Sequence, residues 1–385
     1  MNRWRLRLRK FLRRNLADLI LIGVFALLGV FLQSLDLRPA SPVRQTGVKV
    51  PARVLAADDR FVTGQGLVLY GHQSLQVEVL RGAYAGKVFS AQNLLHAQPE
   101  LDRLYRPGDR VLTGILDGSV PGESTVNAQS LFTADKALWL FAAFALILLF
   151  FGGLTGLKAL ISFVLVCQIL WKLVVPLCLR GINPLAVTLT AVTLLTAVII
   201  FIVAGWNRKG ASAFAGSLLG VLASCGLAVA VSRLFGVNGA VMPYSQTLIY
   251  AGFQHLNLTD LFIGGIFLAS SGAVMDLAMD VAAGMNEVAL HRPGLSRRAL
   301  AASGFRIGRT VVGTMTTTLL LAYSGGYLTL LMMFAAEGIG PWEFLNYPHV
   351  AAEAVKTLVG SLGLVLVAPF TALVGALLLH RPRRR

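Results

Sequence analysis

The chain has 385 residues, of which 56% are hydrophobic and only 14% are charged, and its mean hydropathy is +0.70. Soluble globular domains carry about 25% charged residues, so this composition excludes that class and indicates a polytopic membrane protein. The net charge of +16 is concentrated at predicted helix ends and short loops (residues 1–14, 208–209, 292–309 and 381–385), which is typical of positive-inside topology signals and argues against a nucleic-acid partner.

The first predicted element is a membrane anchor. An apolar run over residues 16–35 follows a basic amino-terminal tail. About twenty apolar residues suffice to cross a bilayer, and the run has no clean A-x-A cleavage site. We therefore predict that residues 1–35 form a cytoplasmic tail and an uncleaved first transmembrane helix.

Residues 36–134 predict a small all-β domain. Period-two runs at 48–50, 66–70 and 75–80 are separated by Gly, Asn, Asp and Pro. About five or six short strands suggest a compact barrel or sandwich, and an oligonucleotide-binding barrel fits the size. Ten basic residues nearly balance nine acidic ones, which argues against a nucleic-acid ligand. No residue pattern identifies a protein partner of this domain.

Apolar runs dominate the segment 135–385, which we predict to be a helical membrane domain. An even number of crossings places both termini in the cytoplasm and residues 36–134 on the extracytoplasmic side, so that every basic cluster is cytoplasmic. The sequence thus predicts a polytopic α-helical protein of about eight transmembrane helices in a lipid bilayer, with the β domain between the first and second. The further spans are expected at residues 137–153, 157–179, 185–205, 211–232, 260–284, 308–335 and 355–379.

The span near residues 260–288 carries acidic residues that a bilayer disfavours. At 100° per residue, Asp276, Asp280 and Glu287 lie within about 40° of one another. A carboxylate inside a membrane costs at least about 2.5–3.5 kcal/mol, so such groups usually face a protein interior or an aqueous cavity. We predict a buried pair, Asp276 and Asp280, with Glu287 at the cytoplasmic mouth. The same face carries the small residues Gly265, Ala269, Gly272 and Ala283, and the opposite face carries Ile263, Phe267, Val274, Val281 and Met285.

The next span is the predicted partner of the acidic face. Its polar and small residues form one stripe, and Gly325-Gly326 is positioned to break the helix within the membrane. The alternative for the threonines is that each hydroxyl bonds only to its own helix, at the carbonyl four residues back. The stripe consists of Arg306, Thr310, Gly313, Thr314, Thr317 and Ser324.

The segments SSGAVMDLAMDVAAGMNEV at 270–288 and GRTVVGTMTTTLLLAYSGG at 308–326 together resemble the paired signature of the YibE/F family of bacterial multi-pass membrane proteins. VEVLRGAYAGK and YRPGDRVL in the β region extend the resemblance. In the family pattern the positions of Thr310 and Thr317 are often an aspartate and an asparagine, so this chain departs there. The resemblance implies a protein of the bacterial cytoplasmic (inner) membrane with an extracytoplasmic β domain, and it implies no particular transported substrate.

Two functions follow from these residues. In a transporter or channel, Asp276 and Asp280 form a site for a small cation or a proton, Thr314 and Thr317 supply neutral oxygens, and the backbone near Gly325 supplies carbonyls. In a scaffold or sensor that presents the β domain, the aspartates instead pair with Arg306 or Arg309 to fix helix packing.

Glu287, Thr310 and Gly326 complete the residues that we expect to act in gating or pairing. The sequence has no HExxH motif, no intramembrane Gly-x-Gly-Asp and no GxxxxGK[ST] loop, so we expect neither an enzyme nor an ATP-driven pump. We expect no cofactor.

Overall fold

A computed structural model describes residues 16–35, 37, 47–116, 119–121 and 125–381. The basic tails at residues 1–15 and 382–385, on which the predicted topology partly depends, lie outside the described residues. The chain divides into two compact units, a β unit over residues 43–148 and a helical unit that includes residues 149–385. The predicted division placed the β domain at residues 36–134.

The β unit is a barrel whose ring contains five strands. β1 pairs antiparallel with β3 and β5, β3 pairs with β4, and β5 pairs with β6. A short parallel pairing of β4 with β6 closes the ring, and β2 adds to β3 as a hairpin. Small Greek-key barrels such as the OB-fold have this architecture. The strands are β1 Val48–Asp58, β2 Val62–Gln65, β3 Val68–Val79, β4 Val88–His96, β5 Arg110–Ile115 and β6 Thr125–Leu131.

Side chains that point alternately inward and outward along the strands form the barrel core. From Gln73 to Val79 on β3 and along β4 every second residue is buried, because successive side chains point to opposite faces of the sheet. Val77, Val111 and Phe89 are at most 1% exposed. The predicted all-β domain is therefore confirmed, and its apolar alternation is the pattern from which it was predicted.

A buried amide network holds the connection between β4 and β5 against the barrel. The Gln73 side chain donates to the carbonyl of Tyr105 (2.8 Å) and accepts from the Tyr105 N–H (2.9 Å). Asn93 donates to Gln73 (3.2 Å) and to the carbonyl of Arg103 (2.7 Å). Gln73 is 0% exposed, so this network replaces the strand pairing that the connection lacks.

Replacing Gln73 with leucine is expected to loosen the β4–β5 connection. The substitution keeps the size of the side chain but leaves the backbone N–H and carbonyl of Tyr105 without their Gln73 partners, at about 1–3 kcal/mol each, and removes one of the two hydrogen bonds that Asn93 donates. Hydrogen exchange of the full-length protein should show faster exchange at Tyr105. Gln76→Leu on the exposed face of the same strand is the control, and equal exchange in both variants would contradict the role of the network.

Asp102 fixes the turn that follows β4. Its side chain is 2% exposed and accepts hydrogen bonds from the backbone N–H groups of His96 (2.9 Å) and Gln98 (2.8 Å). Burial alone would raise the pKa of Asp102, but these N–H groups outweigh it and hold the pKa below its usual range.

The depressed pKa makes the stability of this turn dependent on pH. Asp102 stabilises the folded turn above the unfolded pKa of about 3.9, and the contribution is lost as the pH falls through the lower folded pKa. We expect the melting temperature to fall more steeply below about pH 4 in the wild type than in Asp102→Asn. Glu100→Gln, an exposed change in the same connection, should follow the wild type; a wild-type profile parallel to that of Asp102→Asn would refute the prediction.

Helices make up the rest of the chain. Within the described residues, five are long and apolar enough to cross a membrane, or six if the bent pair α8 and α9 is one span. The chain is thus an α-helical membrane protein with a β-barrel domain. The helices are α1 Leu16–Ser34, α2 Ala134–Ile169, α3 Val175–Leu179, α4 Pro184–Ala204, α5 Arg208–Leu234, α6 Ser245–Tyr250, α7 Leu258–His291, α8 Arg297–Gly325, α9 Leu328–Glu337, α10 Pro341–Asn346 and α11 Pro348–Leu378.

Short polar side chains cap the amino-terminal ends of four of these helices. Asn183, Asn207 and Asn257 accept hydrogen bonds from the first turns of α4, α5 and α7, at 3.1, 2.9 and 3.0 Å. Ser296 caps α8 through the N–H of Ala299 at 3.2 Å, as its position in the sequence suggests. The basic residues after Ser296 form the first turns of α8, which continues without interruption to Gly325.

α7 is the central helix of the helical unit. It packs against α4, α5, α8 and α11, and these neighbours contact one another in the order α4, α5, α11, α8. They form an incomplete ring around α7, because the described residues give α4 and α8 no substantial contact with each other. One side of α7 therefore remains open.

Small residues bring α5 and α11 into close contact. Gly216 faces Thr371, and a Cβ atom at Gly220 would lie 2.8 Å from Cβ of Val367. Ser224 packs against Gly363 in the same seam. This four-residue spacing of small side chains is the pattern that allows two membrane helices to approach closely.

Candidate functional site

The open side of α7 is its acidic face. Ala269, Gly272, Asp276, Asp280 and Glu287 are all exposed, and together they are called the open strip. The opposite face is buried as its apolar residues predict: Ile263, Phe267, Val274, Val281 and Met285 are at most 3% exposed. The helical period of 100° per residue therefore predicted correctly which residues share each face of α7.

Two neighbouring helices border the open strip. Gly264 of α7 lies against Thr188 of α4, and Gly284 of α7 lies against Ile307 of α8. On a helical wheel these two glycines lie on opposite sides of Asp276, about 120° and 80° away. A Cβ atom at Gly272 would meet nothing within 4 Å, and the uncovered face of α7 between its contacts with α4 and α8, with the strip at its centre, is called the groove.

The aspartates differ from the sequence prediction in their burial. Asp276 and Asp280 were expected to be buried against the threonine helix, but both side chains are exposed in the groove. Across the described ranges, neither aspartate has an ion pair or hydrogen bond. Glu287 lies 3.8 Å from His291 Nδ1 at the end of α7, and its side chain is 65% exposed.

Threonine side chains line the α8 side of the groove. Thr310, Thr314 and Thr317 are exposed and lie within about 80° of Ile307, the residue that contacts α7. Their hydroxyls donate to carbonyls of their own helix, at Arg306, Val311 and Gly313 respectively. These are the internal bonds anticipated as the alternative for the threonines. With the donor used internally, each oxygen keeps acceptor lone pairs that suit a cation.

Neither arginine is paired with an aspartate across the described residues. Arg306 and Arg309 are exposed, and Arg309 projects about 160° round α8 from Ile307, on the side turned from α7. In the part of the chain that the structure describes, no ion pair joins either arginine to Asp276 or Asp280.

The predicted break in the threonine helix is present. α8 ends at Gly325, α9 begins at Leu328, and their axes differ by 66°. Gly326 caps α8, and its N–H bonds to the carbonyl of Tyr323 at 3.2 Å. The broken segment is held by Phe334, whose ring packs edge-on against those of Phe344 and Tyr347 at 5.2 and 5.0 Å.

A charged pair next to this break was not predicted. Lys356 Nζ of α11 lies 3.5 Å from Glu353 Oε2, and it also lies over the ring of Tyr323 at 4.8 Å. The hydropathy pattern predicts that the last span begins at residue 355, which places Glu353 in a loop. In the structure α11 begins at Pro348. The sequence did contain a signal for this pair, because two charged residues three positions apart are unusual in an apolar helix.

In the described segments, no three His, Cys, Asp or Glu side chains cluster as a metal site would require. The model of the family described as YibE/F-like protein matches residues 140–381. This match confirms the resemblance seen in the signature segments of α7 and α8. No curated protein and no solved structure matches the chain.

Proposed function

Since the chain belongs to the YibE/F-like protein family and the match includes the helix that carries the open strip, we propose that this membrane region moves a small cation or a proton across the bilayer. Asp276 and Asp280 are the proposed cation or proton site, and Thr314 and Thr317 are the proposed neutral ligands. The observation that carries the proposal is the exposure of both aspartates in the groove, where neither has an ion-pair partner among the described residues.

The chemistry of the groove favours a positive ligand. Two carboxylates one helical turn apart repel each other unless a cation or a proton joins them. The threonine hydroxyls add oxygen atoms whose donors are already engaged. Carboxylate and hydroxyl oxygens suit alkali and alkaline-earth ions and Mn²⁺ better than soft metals.

The broken helix supports a transport role. Secondary transporters commonly form their sites at discontinuous helices, where unpaired backbone groups bind the ion. Gly325 and Gly326 interrupt the same helix that carries Thr314 and Thr317. A bend at this position offers a way to change the width of the groove.

The proposed topology has eight crossings, with both termini cytoplasmic and the barrel outside, in a bacterial inner membrane. The five long helices, the bent pair and α1 account for seven of these. The eighth comes from α2, which has a non-helical residue at Gly153 (φ 53°, ψ −126°) where the predicted spans 137–153 and 157–179 adjoin. A 46-residue run from α2 to α3 is about 69 Å long, roughly twice the thickness of a bilayer core.

A scaffold or sensor is the second candidate, and a cleft in the β barrel favours it. The cleft has a volume of about 650 Å³ and lies where β4 and β6 separate beyond their short pairing. Gln92, His96, Arg103 and Asn127 are among its lining residues. Pockets with a few convergent polar groups are common ligand sites.

Reconstitution into liposomes distinguishes the two functions. Transport predicts that protein-containing vesicles dissipate an imposed gradient of Na⁺, K⁺, Ca²⁺, Mn²⁺ or H⁺ faster than empty ones. A thermal-shift screen of the same ions identifies the candidate, because an ion that binds only the folded state raises the melting temperature by mass action. Absence of flux for every ion, with folded protein in the vesicles, would leave the scaffold as the function.

A further inference from the structure

The charged pair at the helix break forms a three-sided cage around an ammonium group. Lys356 Nζ lies 3.5 Å from the Glu353 carboxylate and 4.8 and 5.8 Å from the ring centroids of Tyr323 and Tyr327. Both ring distances are within the range of about 6 Å over which an aromatic face attracts a cation. The side chains of Glu353 and Lys356 are 15% and 27% exposed, so the cage is largely enclosed.

The geometry of the cage depends on the break itself. Tyr323 lies in the last turn of α8, and Tyr327 directly precedes α9, so the two rings flank Gly325-Gly326. The carbonyl end of α8 also carries partial negative charge, which favours a cation at this position. Straightening the break would therefore remove one wall of the cage.

Lys356 leaves some hydrogen-bonding capacity of the cage unused. Glu353 Oε1 and the Tyr323 hydroxyl are buried, and within the described residues neither has a hydrogen-bond partner closer than 3.5 Å, while the Tyr327 side chain makes a longer hydrogen-bond contact with the Glu353 carboxylate. The separation of 3.5 Å between Lys356 Nζ and Glu353 Oε2 exceeds the roughly 2.7–2.9 Å of a strong charged hydrogen bond. Unused buried oxygens beside a loosely held ammonium are the features of a site that can exchange its cation.

The cage adjoins the helix that carries the aspartates. A Cβ atom at Gly360 of α11 would lie 3.4 Å from Ser270 of α7 and 3.6 Å from the Tyr323 hydroxyl. Ser270 precedes Asp276 by six residues, or about 9 Å along the helix axis. Ser270 is buried and lies about 120° round α7 from Asp276, so the cage contacts α7 on a different side from the aspartates.

We propose that Tyr323, Tyr327 and Glu353 form a binding site for a small monovalent cation of the ammonium or alkali class, and that Lys356 is its built-in, displaceable occupant. The site adds a second cation position to the proposed function, but its existence does not require Asp276 to carry transport. Exchange of Lys356 for a free cation would loosen the contact between α11 and the break.

Replacing Lys356 with alanine empties the cage and allows it to be tested with methylammonium chloride on the full-length protein. The variant should melt below the wild type, and methylammonium should restore at least half of the lost melting temperature in a saturable manner. The wild type should respond more weakly than Lys356→Ala, because Lys356 competes for the cage, and the double variant Lys356→Ala, Glu353→Gln should show no saturable response. N-methylglucamine chloride at equal ionic strength controls for screening. A response of Lys356→Ala that matches the wild type would overturn the proposal.

A second measurement uses the wild type and so does not depend on folding of the variant. If Lys356 is displaceable, its acylation, measured by mass spectrometry, should accelerate at least threefold and saturably when KCl replaces N-methylglucamine chloride, whose cation is bulkier than the ammonium group in the cage. Lys172, in the same unit and outside the cage, should be unaffected. An acylation rate of Lys356 that is independent of the salt would show a fixed ion pair and refute displacement. Neither assay measures flux, so a failure here is distinct from a failure of Asp276 in transport.

Discussion

The substitution Asp276→Asn is expected to reduce cation flux in liposomes at least tenfold while the protein remains folded. The asparagine keeps the shape of the side chain but removes the charge that attracts a cation and the carboxylate that carries a proton. One lost charge–cation contact of about 1.4 kcal/mol already corresponds to a factor of ten. Because the side chain is exposed and has no ion pair in the described chain, its removal should change the melting temperature by less than 2 °C.

Asp260→Asn is the matched control for this experiment. Asp260 lies in the first turn of the same helix, away from the open strip, and accepts a hydrogen bond from Asn183 Nδ2 at 2.9 Å. Its substitution should leave flux intact. Asp280→Asn should resemble Asp276→Asn if the two carboxylates share one ion. Normal flux in Asp276→Asn would remove that residue from the mechanism, and a large loss of stability without flux would favour the scaffold.

The second large effect is expected at the seam between α5 and α11. Gly220→Val places a Cβ atom 2.8 Å from Cβ of Val367, and the added methyl groups increase the overlap. Membrane helices that approach through small residues have little freedom to separate, and overpacking of this kind costs about 1–3 kcal/mol or more. We expect a melting temperature at least 5 °C lower and a reduced yield of folded protein.

Gly226→Val makes the same substitution on the same helix at a position that faces open space. A Cβ atom at Gly226 meets nothing within 4 Å, so only the small change in helix propensity remains. Comparable melting temperatures in detergent for the two variants would contradict the assigned seam. A selective loss at Gly220 would show that α5 and α11 depend on close backbone approach.

Periodicity along the sequence predicted which residues share a face, because a helix repeats every 3.6 residues and a strand every two. It could not predict whether another element covers that face. Asp276 and Asp280 were assigned correctly to one stripe with Gly272, yet their exposure depends on α4 and α8 remaining apart, which is a tertiary property. The break at Gly325 was predictable because glycine lacks the side-chain contacts that keep a helix straight.

The barrel shows the same limit of prediction from sequence periodicity. The alternating runs identified strands, but the ring depends on pairings between β1 and β5 and between β4 and β6, which are distant in the sequence. Glu353 was missed for a different reason: helix ends are set by local turns, and α11 begins seven residues before the hydropathy boundary at residue 355.

The incomplete ring around α7 has a mechanical consequence. α4 and α8 are each attached to α7, but across the described residues they make no substantial contact with each other. α4 and α8 can therefore approach or separate without breaking a direct interface between them. The width of the groove is thus easier to change than the packing of the other helices in the bundle.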